Sequence, residues 1–210
     1  MGRYLGSSCK QCRREGMKLM LKGIRCETAK CPVEKKNRNL QPGMHGWSRG
    51  RKSDYAVRLR EKQKVKRFYG LLNKQFMIYF RRAERQKGNT GEILLQLLER
   101  RLDNVVYKLN FAASRKAARQ MVSHGHIYVN GRKIDIPDYT VEVGDKITLK
   151  SSESSKKIAK QQLEVNPNFV VQNWLQLDRD KPEASVVALP TRDDVQIPVE
   201  EQLIVEFCSR

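Results

Sequence analysis

The sequence lacks the long apolar runs of membrane proteins and the short motifs of the common enzyme classes. No run of about 18 apolar residues occurs. The motifs of nucleotide-binding loops, dinucleotide-binding folds, zinc proteases and serine hydrolases are absent as well. The opening residues, MGRYLGSSCK, hold neither an apolar signal-peptide stretch nor a Ser/Arg-rich presequence. We therefore expect a cytoplasmic protein that is not an enzyme and that engages neither a membrane nor a small-molecule substrate.

Acidic residues are scarce in the first half of the chain. Residues 1–98 hold 25 Lys and Arg against only 7 Asp and Glu, residues 99–150 hold 10 against 6, and residues 151–210 hold 7 against 10. The formal net charge of the 210-residue chain is +19. Because so large a charge of one sign repels itself in a compact state, we expect a polyanionic partner to neutralise it. The charge distribution thus favours a nucleic-acid-binding protein.

Cysteine is almost confined to the N-terminal segment, where Cys9, Cys12, Cys26 and Cys31 follow the spacing C-x2-C-x13-C-x4-C. In a chain expected in the cytoplasm, this crowding favours a metal site over disulfides. Two close pairs can bring four thiolates around one Zn²⁺ ion, whose role would be structural because no coordination position stays open. An iron–sulfur cluster requires the same ligands, and free thiols are the remaining alternative. His45, in the loop that follows, is better explained by phosphate contact than as a fifth ligand.

Apolar periodicity predicts three helices in the region between this segment and the middle of the chain. The first covers 54–69 and is capped by Ser53, and the second covers about 73–86. A capping box at Asn89 opens the third, which we expect to continue through Leu109.

The segment after Ser114 has the most specific pattern. With Ser114 as N-cap, the helical repeat collects polar and basic side chains on one face, namely Arg115, Lys116, Arg119, Gln120 and Ser123. Gly125 can end this helix, and Asn130-Gly131 predicts a tight hairpin. A second pair of strands is expected at 140–143 and 146–149, followed by a polar helix or linker over 150–164.

These patterns predict an α+β, multi-domain chain. We expect a cysteine-rich metal-binding N-terminal segment over residues 1–41. A basic helical domain covers 42–98 and is completed by a C-terminal helix near 198–210. A small module of helix plus antiparallel sheet covers 99–164. Residues 165–210 contribute strands at about 185–189 and 196–198 and the terminal helix.

Five ordered segments resemble the family of bacterial small-subunit ribosomal protein four, over essentially the full length of the chain. They are GRYLGSSCKQCRREGMKL, PGMHG, SDYAVRLREKQKVKRFYG, RRLDNVVYKLNFAASRKAARQMVSHGHIYVNGRKID and LPTRDDVQIPVEEQLIVEFCSR. The resemblance implies a structural ribosomal protein that binds the 5′ domain of the small-subunit RNA early in assembly. It also implies contact with ribosomal protein five of the small subunit, and with messenger RNA where it enters the ribosome, with an effect on translational accuracy. Some members of the family hold Zn²⁺ in the cysteine motif.

The resemblance and the charge pattern select candidate RNA-binding residues. In the central module, which resembles the RNA-binding module named after the family, they are Ser114, Arg115, Lys116, Arg119, Gln120, His124, Gly125, His126, Asn130, Gly131 and Arg132. In the first half they are Arg3, Lys10, Arg13, Arg14, Lys22, His45, Arg49, Arg51, Lys52, Tyr55, Arg58, Lys62, Lys66 and Arg67. Because the A-form major groove is too narrow for a helix, we expect these side chains to recognise phosphates, 2′-hydroxyls and shape.

Other functions remain open from the sequence alone. An RNA-modifying enzyme can carry the same RNA-binding module, but it would require a catalytic domain beside it. Some relatives repress translation of their own messenger. A zinc-bearing DNA-binding factor would instead read duplex DNA with a recognition helix, and its preference for duplex DNA over junction RNA would distinguish it.

Overall fold

The structure is a computed structural model that describes residues 2–35, 38–44, 46, 51, 53–166, 169–178 and 183–209. The candidates His45, Arg49 and Lys52 lie outside the described residues. The chain forms two units: unit 1 is Met1–Leu94 with Ile197–Arg210, and unit 2 is Leu95–Gln196. Within the part of the chain that the structure describes, no helix is long and apolar enough to cross a membrane.

The elements alternate between helices and one antiparallel sheet, in agreement with the predicted α+β class. In chain order the helices are α1 (Ser8–Glu15), α2 (Asp54–Phe68), α3 (Asn73–Glu84), α4 (Thr90–Glu99), α5 (Leu102–Lys108), α6 (Arg115–Ser123), α7 (Glu153–Val165) and α8 (Glu201–Cys208). A 3-10 turn covers Gly23–Cys26. The strands are β1 (Ile127–Val129), β2 (Arg132–Lys133), β3 (Lys146–Leu149), β4 (Leu175–Asp178) and β5 (Glu183–Val186).

Two predicted N-caps are confirmed. The Ser53 hydroxyl oxygen accepts a hydrogen bond from the Ala56 backbone N–H at 3.3 Å, at the start of α2. Ser114 accepts one from the Ala117 N–H at 3.3 Å, at the start of α6. Each cap satisfies a backbone donor that the helix itself leaves free, which stabilises a helix by about 1 kcal/mol.

In unit 1, the C-terminal helix α8 packs on α2. Arg58 Nε donates to Glu206 Oε2 at 2.8 Å, and the Tyr55 and Phe207 rings lie 5.4 Å apart. Ile204 is buried. The predicted terminal helix is therefore present, although it begins at Glu201.

The prediction of one long helix through Leu109 is wrong. The helix breaks between α4 and α5, where Arg101 is extended (φ −65°, ψ 134°) and forms an isolated bridge with Thr140. The backbone carbonyl of Tyr139 accepts from the Leu102 N–H at 2.8 Å. A neighbouring loop thus supplies hydrogen bonds that replace the helical ones, which local periodicity cannot reveal.

The sheet has the order β2-β1-β3-β5-β4, and every adjacent pair is antiparallel. The predicted hairpin is confirmed, with Asn130 and Gly131 both at positive φ (51° and 76°) in its turn. The predicted strand at 140–143 is wrong, because β3 pairs with β1 and with the distant β5 instead. No strand forms at 196–198, and β4 was not predicted.

Candidate nucleic-acid interface

The candidates in unit 2 divide into an exposed set and a buried set. Helix α6 buries Ala118, Met121 and Val122, so that its opposite side stays open to solvent. The exposed candidates are Lys116, Gln120, His124, Asn130, Gly131 and Arg132, and we call them the α6–hairpin face. The half-buried and buried candidates are Ser114, Arg119, His126, Gly125 and Arg115.

Arg115 does not lie on the exposed face, and the prediction that placed it there is wrong. Its side chain is buried, with 7% of the residue exposed. Its Nε donates to Asn104 Oδ1 at 2.8 Å, and its guanidinium lies 4.5 Å from the centre of the Tyr107 ring. Both partners are on α5. Arg115 therefore ties α6 to α5, because a planar guanidinium can donate and stack at the same time.

A buried ion network holds the start of α5. The Arg101 side chain is 0% exposed and donates through Nε and Nη2 to the Asp103 carboxylate at 3.0 and 2.8 Å. Asp138 also binds Arg101, and Arg119 Nη1 lies 3.1 Å from Asp103 Oδ2. The network fixes the α6 side chain Arg119 against α5. An Arg-x-Asp pair is the only trace of this network in the local sequence.

A second buried polar cluster contains Lys108 and Glu99. Lys108 is 1% exposed, and its Nζ lies 3.9 Å from Glu99 Oε2, beyond hydrogen-bond reach. Asn104 Nδ2 donates to Glu99 Oε2 at 2.6 Å. Burial lowers the pKa of Lys108 from 10.5 to about 8, since desolvation disfavours the ammonium form more than the Glu99 carboxylate favours it.

The depressed pKa of Lys108 predicts that stability rises in alkaline solution. Between pH 8 and pH 10.5 the unfolded chain keeps a proton on this side chain that the folded chain has lost, so raising the pH favours the folded state. The expected gain is on the order of 3 kcal/mol. Denaturant unfolding of wild type and Lys108→Met across this range should show the gain only in wild type, whereas Lys157→Met, at an exposed lysine of α7, should retain it. An equal gain in Lys108→Met would contradict the assignment.

Two histidines flank Gly125 where α6 leads into β1. The ring centres of His124 and His126 lie 6.1 Å apart. His126 Nδ1 is 2.8 Å from the Ser155 hydroxyl, which is 2.8 Å from the Ser152 hydroxyl. Burial lowers the pKa of His126, and the neighbouring His124 and Lys150 lower it further. The ring of His126 thus lies among groups that disfavour its charged form.

The hairpin turn is held by its own side chain. Asn130 Nδ2 donates to Asp145 Oδ1 at 2.8 Å, and Asn130 Oδ1 accepts from the Lys146 backbone N–H at 2.9 Å. Both ends of the amide are therefore used within the protein. The turn held in this way leads directly into β2, whose first residue is the exposed Arg132.

In unit 1, several predicted RNA-binding side chains have partners within the protein. Arg67 and Arg60 of α2 both bind Glu15 of α1, which is nearly inaccessible. Lys62 is buried, and its Nζ lies 5.1 Å from the Phe207 ring centre and 5.8 Å from that of Phe76. Lys62 is thus placed to join α2 to its neighbours through cation–π contacts.

The remaining candidates of unit 1 differ in exposure. Burial lowers the pKa of Lys66, and the positive charges of Arg67, Lys62 and Arg60 add to the effect. Arg58 is half-buried beside Glu206, and Arg13 Nη1 donates to the Leu40 carbonyl at 3.5 Å. The exposed candidates are Arg3, Lys10, Arg14, Lys22, Arg51 and Tyr55.

The structure brings the four N-terminal cysteines to one small cavity. This cavity has a volume of about 10 Å³, and it is lined by Cys9, Cys12, Cys26 and Cys31. All four thiols are free. The Lys22 backbone N–H donates to Cys26 Sγ at 3.4 Å. Burial raises the pKa of Cys12 and of Cys26.

The chemistry of this donor set fits a metal ion that prefers sulfur. Four thiols around a cavity for one atom, with a backbone N–H directed at one sulfur, are what a closed tetrathiolate site requires. The four thiols line one cavity but do not have the spacing of a formed metal site. Among the described residues, no group of three or more His, Cys, Asp or Glu side chains has that arrangement.

Comparison with known proteins places two family models on the chain. The family model described as Ribosomal protein S4/S9 N-terminal domain matches residues 3–99, and the one described as S4 domain matches residues 100–147. Proteins named small ribosomal subunit protein uS4 are similar over all 210 residues, which is 100% of this chain and of each relative; they are 54% identical in Halothermothrix orenii and 53% identical in Thermoanaerobacter sp. (strain X514) and in Trichlorobacter lovleyi. Matches of this extent and identity show that the chain belongs to the ribosomal protein uS4 family.

Proposed function

We propose that this chain is a structural constituent of the small ribosomal subunit that binds ribosomal RNA and performs no catalytic turnover. Its place of action is then the ribosome in the cytoplasm. The observation that carries the proposal is the α6–hairpin face: Lys116 and Gln120 are exposed on α6, and Arg132 is exposed at the start of β2. Because the helix and the hairpin are held by contacts within unit 2, this surface contacts phosphates with little loss of backbone freedom.

The chemistry of the proposed binding follows from charge. Where RNA helices meet, their phosphate backbones repel one another, and a protein with cations fixed on several faces offsets that repulsion. Counterions are released as these cations take their place, so the affinity falls steeply with salt concentration. The net charge of +19 and the exposed Arg and Lys of unit 1 support this mechanism.

The α6–hairpin face gives a direct test. Lys116→Gln and Arg132→Gln should each reduce the slope of log affinity against log salt concentration by about 1, because each removes one phosphate contact. Lys157→Gln is the matched control, since this exposed lysine of α7 lies in the same unit but outside the α6–hairpin face, and its loss should leave the slope unchanged. Filter binding of the full chain to a transcript of the small-subunit RNA, at several salt concentrations, measures the slopes. Equal slopes for wild type and Lys116→Gln would contradict the assignment.

At a finer level we propose the 5′ domain of the small-subunit RNA as the binding site, at a junction of several helices and early in assembly. We further propose contacts with ribosomal protein five of the small subunit, and with messenger RNA where it enters the ribosome. These partners rest on family membership. RNA footprinting with the purified protein on naked small-subunit RNA tests the first, and protection confined to another domain would overturn it.

We also propose that Cys9, Cys12, Cys26 and Cys31 hold one structural Zn²⁺ ion. The ion would supply cross-linking of α1 to the 3-10 turn and the loop after it, in a segment with few large apolar side chains. Support comes from the four thiols around one small cavity and from the backbone N–H at Cys26. An iron–sulfur cluster is the alternative, and the metal content of the purified protein distinguishes the two.

A further inference from the structure

Gly125 brings two imidazoles together at the end of α6. It adopts φ 70°, the left-handed conformation that ends a helix, and its N–H donates to the Val122 carbonyl at 2.8 Å. His124 on one side is exposed, and His126 on the other is half-buried. With ring centres 6.1 Å apart, the two imidazoles can act on one small ligand.

Two lysines lie near the imidazoles: Lys133 in β2 and Lys150 just after β3. A Cβ atom on Gly125 would lie 2.2 Å from Lys133 Cε and 3.0 Å from Lys133 Nζ, so this ammonium lies directly over the glycine. Lys150, which follows β3, donates its backbone N–H to the His126 carbonyl at 2.8 Å. The positive φ of Gly125 favours glycine at this position, and the end of the Lys133 side chain fills the space above its Cα atom.

The charges that act on His126 are all positive or protonatable. They come from His124 at the end of α6 and from Lys150 after β3, while α7 contributes the neutral Ser155 hydroxyl. Lys133, whose ammonium lies over Gly125, adds a further cation. The cluster thus combines four nitrogen-bearing side chains, which is the composition of an anion site.

The serine chain allows His126 to change its protonation state without losing a hydrogen bond. When the imidazole is neutral with its proton on Nε2, the Ser155 hydroxyl donates to Nδ1. When the ring is charged, Nδ1–H donates to the Ser155 oxygen. Ser152, 2.8 Å from Ser155, takes the other role in each case. The ring is thus held by Nδ1 in both states, and Nε2 is the nitrogen left for a ligand.

We propose that His124, His126, Lys133 and Lys150 form one phosphate-binding site for the RNA backbone, and that binding is accompanied by proton uptake on His126. The inference rests on the proposed RNA-binding function and adds a site and a linked proton to it. In the free protein, burial and the neighbouring His124 and Lys150 disfavour the charged form of His126. A bound phosphate reverses that balance, so the His126 imidazolium and the phosphate stabilise one another.

Proton uptake makes the affinity depend on pH in a defined direction. Where His126 is neutral in the free protein and charged in the complex, the linked proton increases affinity up to tenfold for every unit by which the pH falls. At constant ionic strength, the full chain should bind a transcript of the small-subunit 5′ domain about tenfold more tightly at pH 6 than at pH 8. Calorimetry in buffers of different ionisation enthalpy should report proton uptake near pH 7.

Variants assign the effect to this pair. The double variant His124→Gln/His126→Asn should bind with an affinity that is nearly independent of pH, and the asparagine keeps a partner for Ser155. Lys157→Gln, which removes an exposed cation of α7 outside the site, should retain the pH dependence of wild type. A pH dependence that survives in the double variant, or that disappears in Lys157→Gln, overturns the proposal.

Spectroscopy of the rings separates the site from the rest of the RNA interface. In NMR titrations of the full chain, the pKa of His126 should rise on addition of inorganic phosphate, and more so with RNA, and Lys133→Gln should weaken both effects. If the titration midpoint of His126 does not move when RNA is bound, the proposed site is refuted while the RNA-binding function is not. Absence of RNA binding at every pH would instead refute the proposed function.

Discussion

Replacing Asp103 with Asn should destabilise unit 2 by about 3–5 kcal/mol, the usual consequence of leaving a buried charge without its partner. The Asp103 carboxylate accepts from both Nε and Nη2 of Arg101, whose side chain has no exposure to water, and from Nη1 of Arg119. An amide cannot serve three cationic donors, because one of its two polar atoms is itself a donor. The guanidinium of Arg101 would keep the charge of Asp138 but lose that of Asp103.

Amide hydrogen exchange in α5 and α6 measures this loss directly, because it reports the opening of unit 2 without requiring the whole chain to unfold in one step. Asp135→Asn is the matched control: it removes the same charge from an exposed position of the same unit. A similar exchange rate in the two variants would show that the network adds little to stability. The double variant Asp103→Asn/Arg119→Met should cost less than the sum of the single changes, because the two side chains share one interaction.

Removal of the metal from the cysteine cluster should have the largest effect on unit 1. A structural Zn²⁺ site of this type contributes on the order of 10–16 kcal/mol, far more than the few apolar side chains around it can replace. Chelation or Cys9→Ser should therefore expose residues 2–41 to proteolysis, with cleavage among the basic side chains of this segment.

Cys208→Ser is the control for that experiment, since Cys208 lies in α8, away from the cavity that the other four cysteines line. Its metal content and its protease resistance should equal those of wild type. Protection of the segment that is unchanged after complete metal removal would contradict a structural ion. Iron with visible absorption in place of zinc would assign the alternative cluster.

Local sequence signals predicted the parts of the fold whose causes are local. Ser53, Ser114 and the Asn130-Gly131 turn act within four residues of the backbone that they cap or bend, and each was predicted correctly. The break before α5 was missed because its hydrogen-bond acceptor, the Tyr139 carbonyl, is far away in the sequence. Strand β4 was missed for a similar reason: it is defined by its pairing with β5.

The candidate interface shows the same limit. Helical periodicity assigns Arg115 to the polar face, since an arginine at a helix start is usually solvated. Its burial depends on Asn104 and Tyr107 of another helix, which no pattern around Arg115 could indicate. Lys133 and Lys150 were likewise absent from the predicted site, because only the fold brings β2 and the end of β3 to the histidine pair.

The placement of the last elements has a consequence for synthesis of the chain. Strand β5 completes the sheet of unit 2 beside β3, and α8 covers α2 in unit 1. Both units thus depend on residues that are translated after the basic first half of the chain. Until those residues have been made, the chain would carry most of its positive charge without the scaffold that orients it, so discrimination between its intended RNA and any other RNA nearby begins only after α8 has been translated.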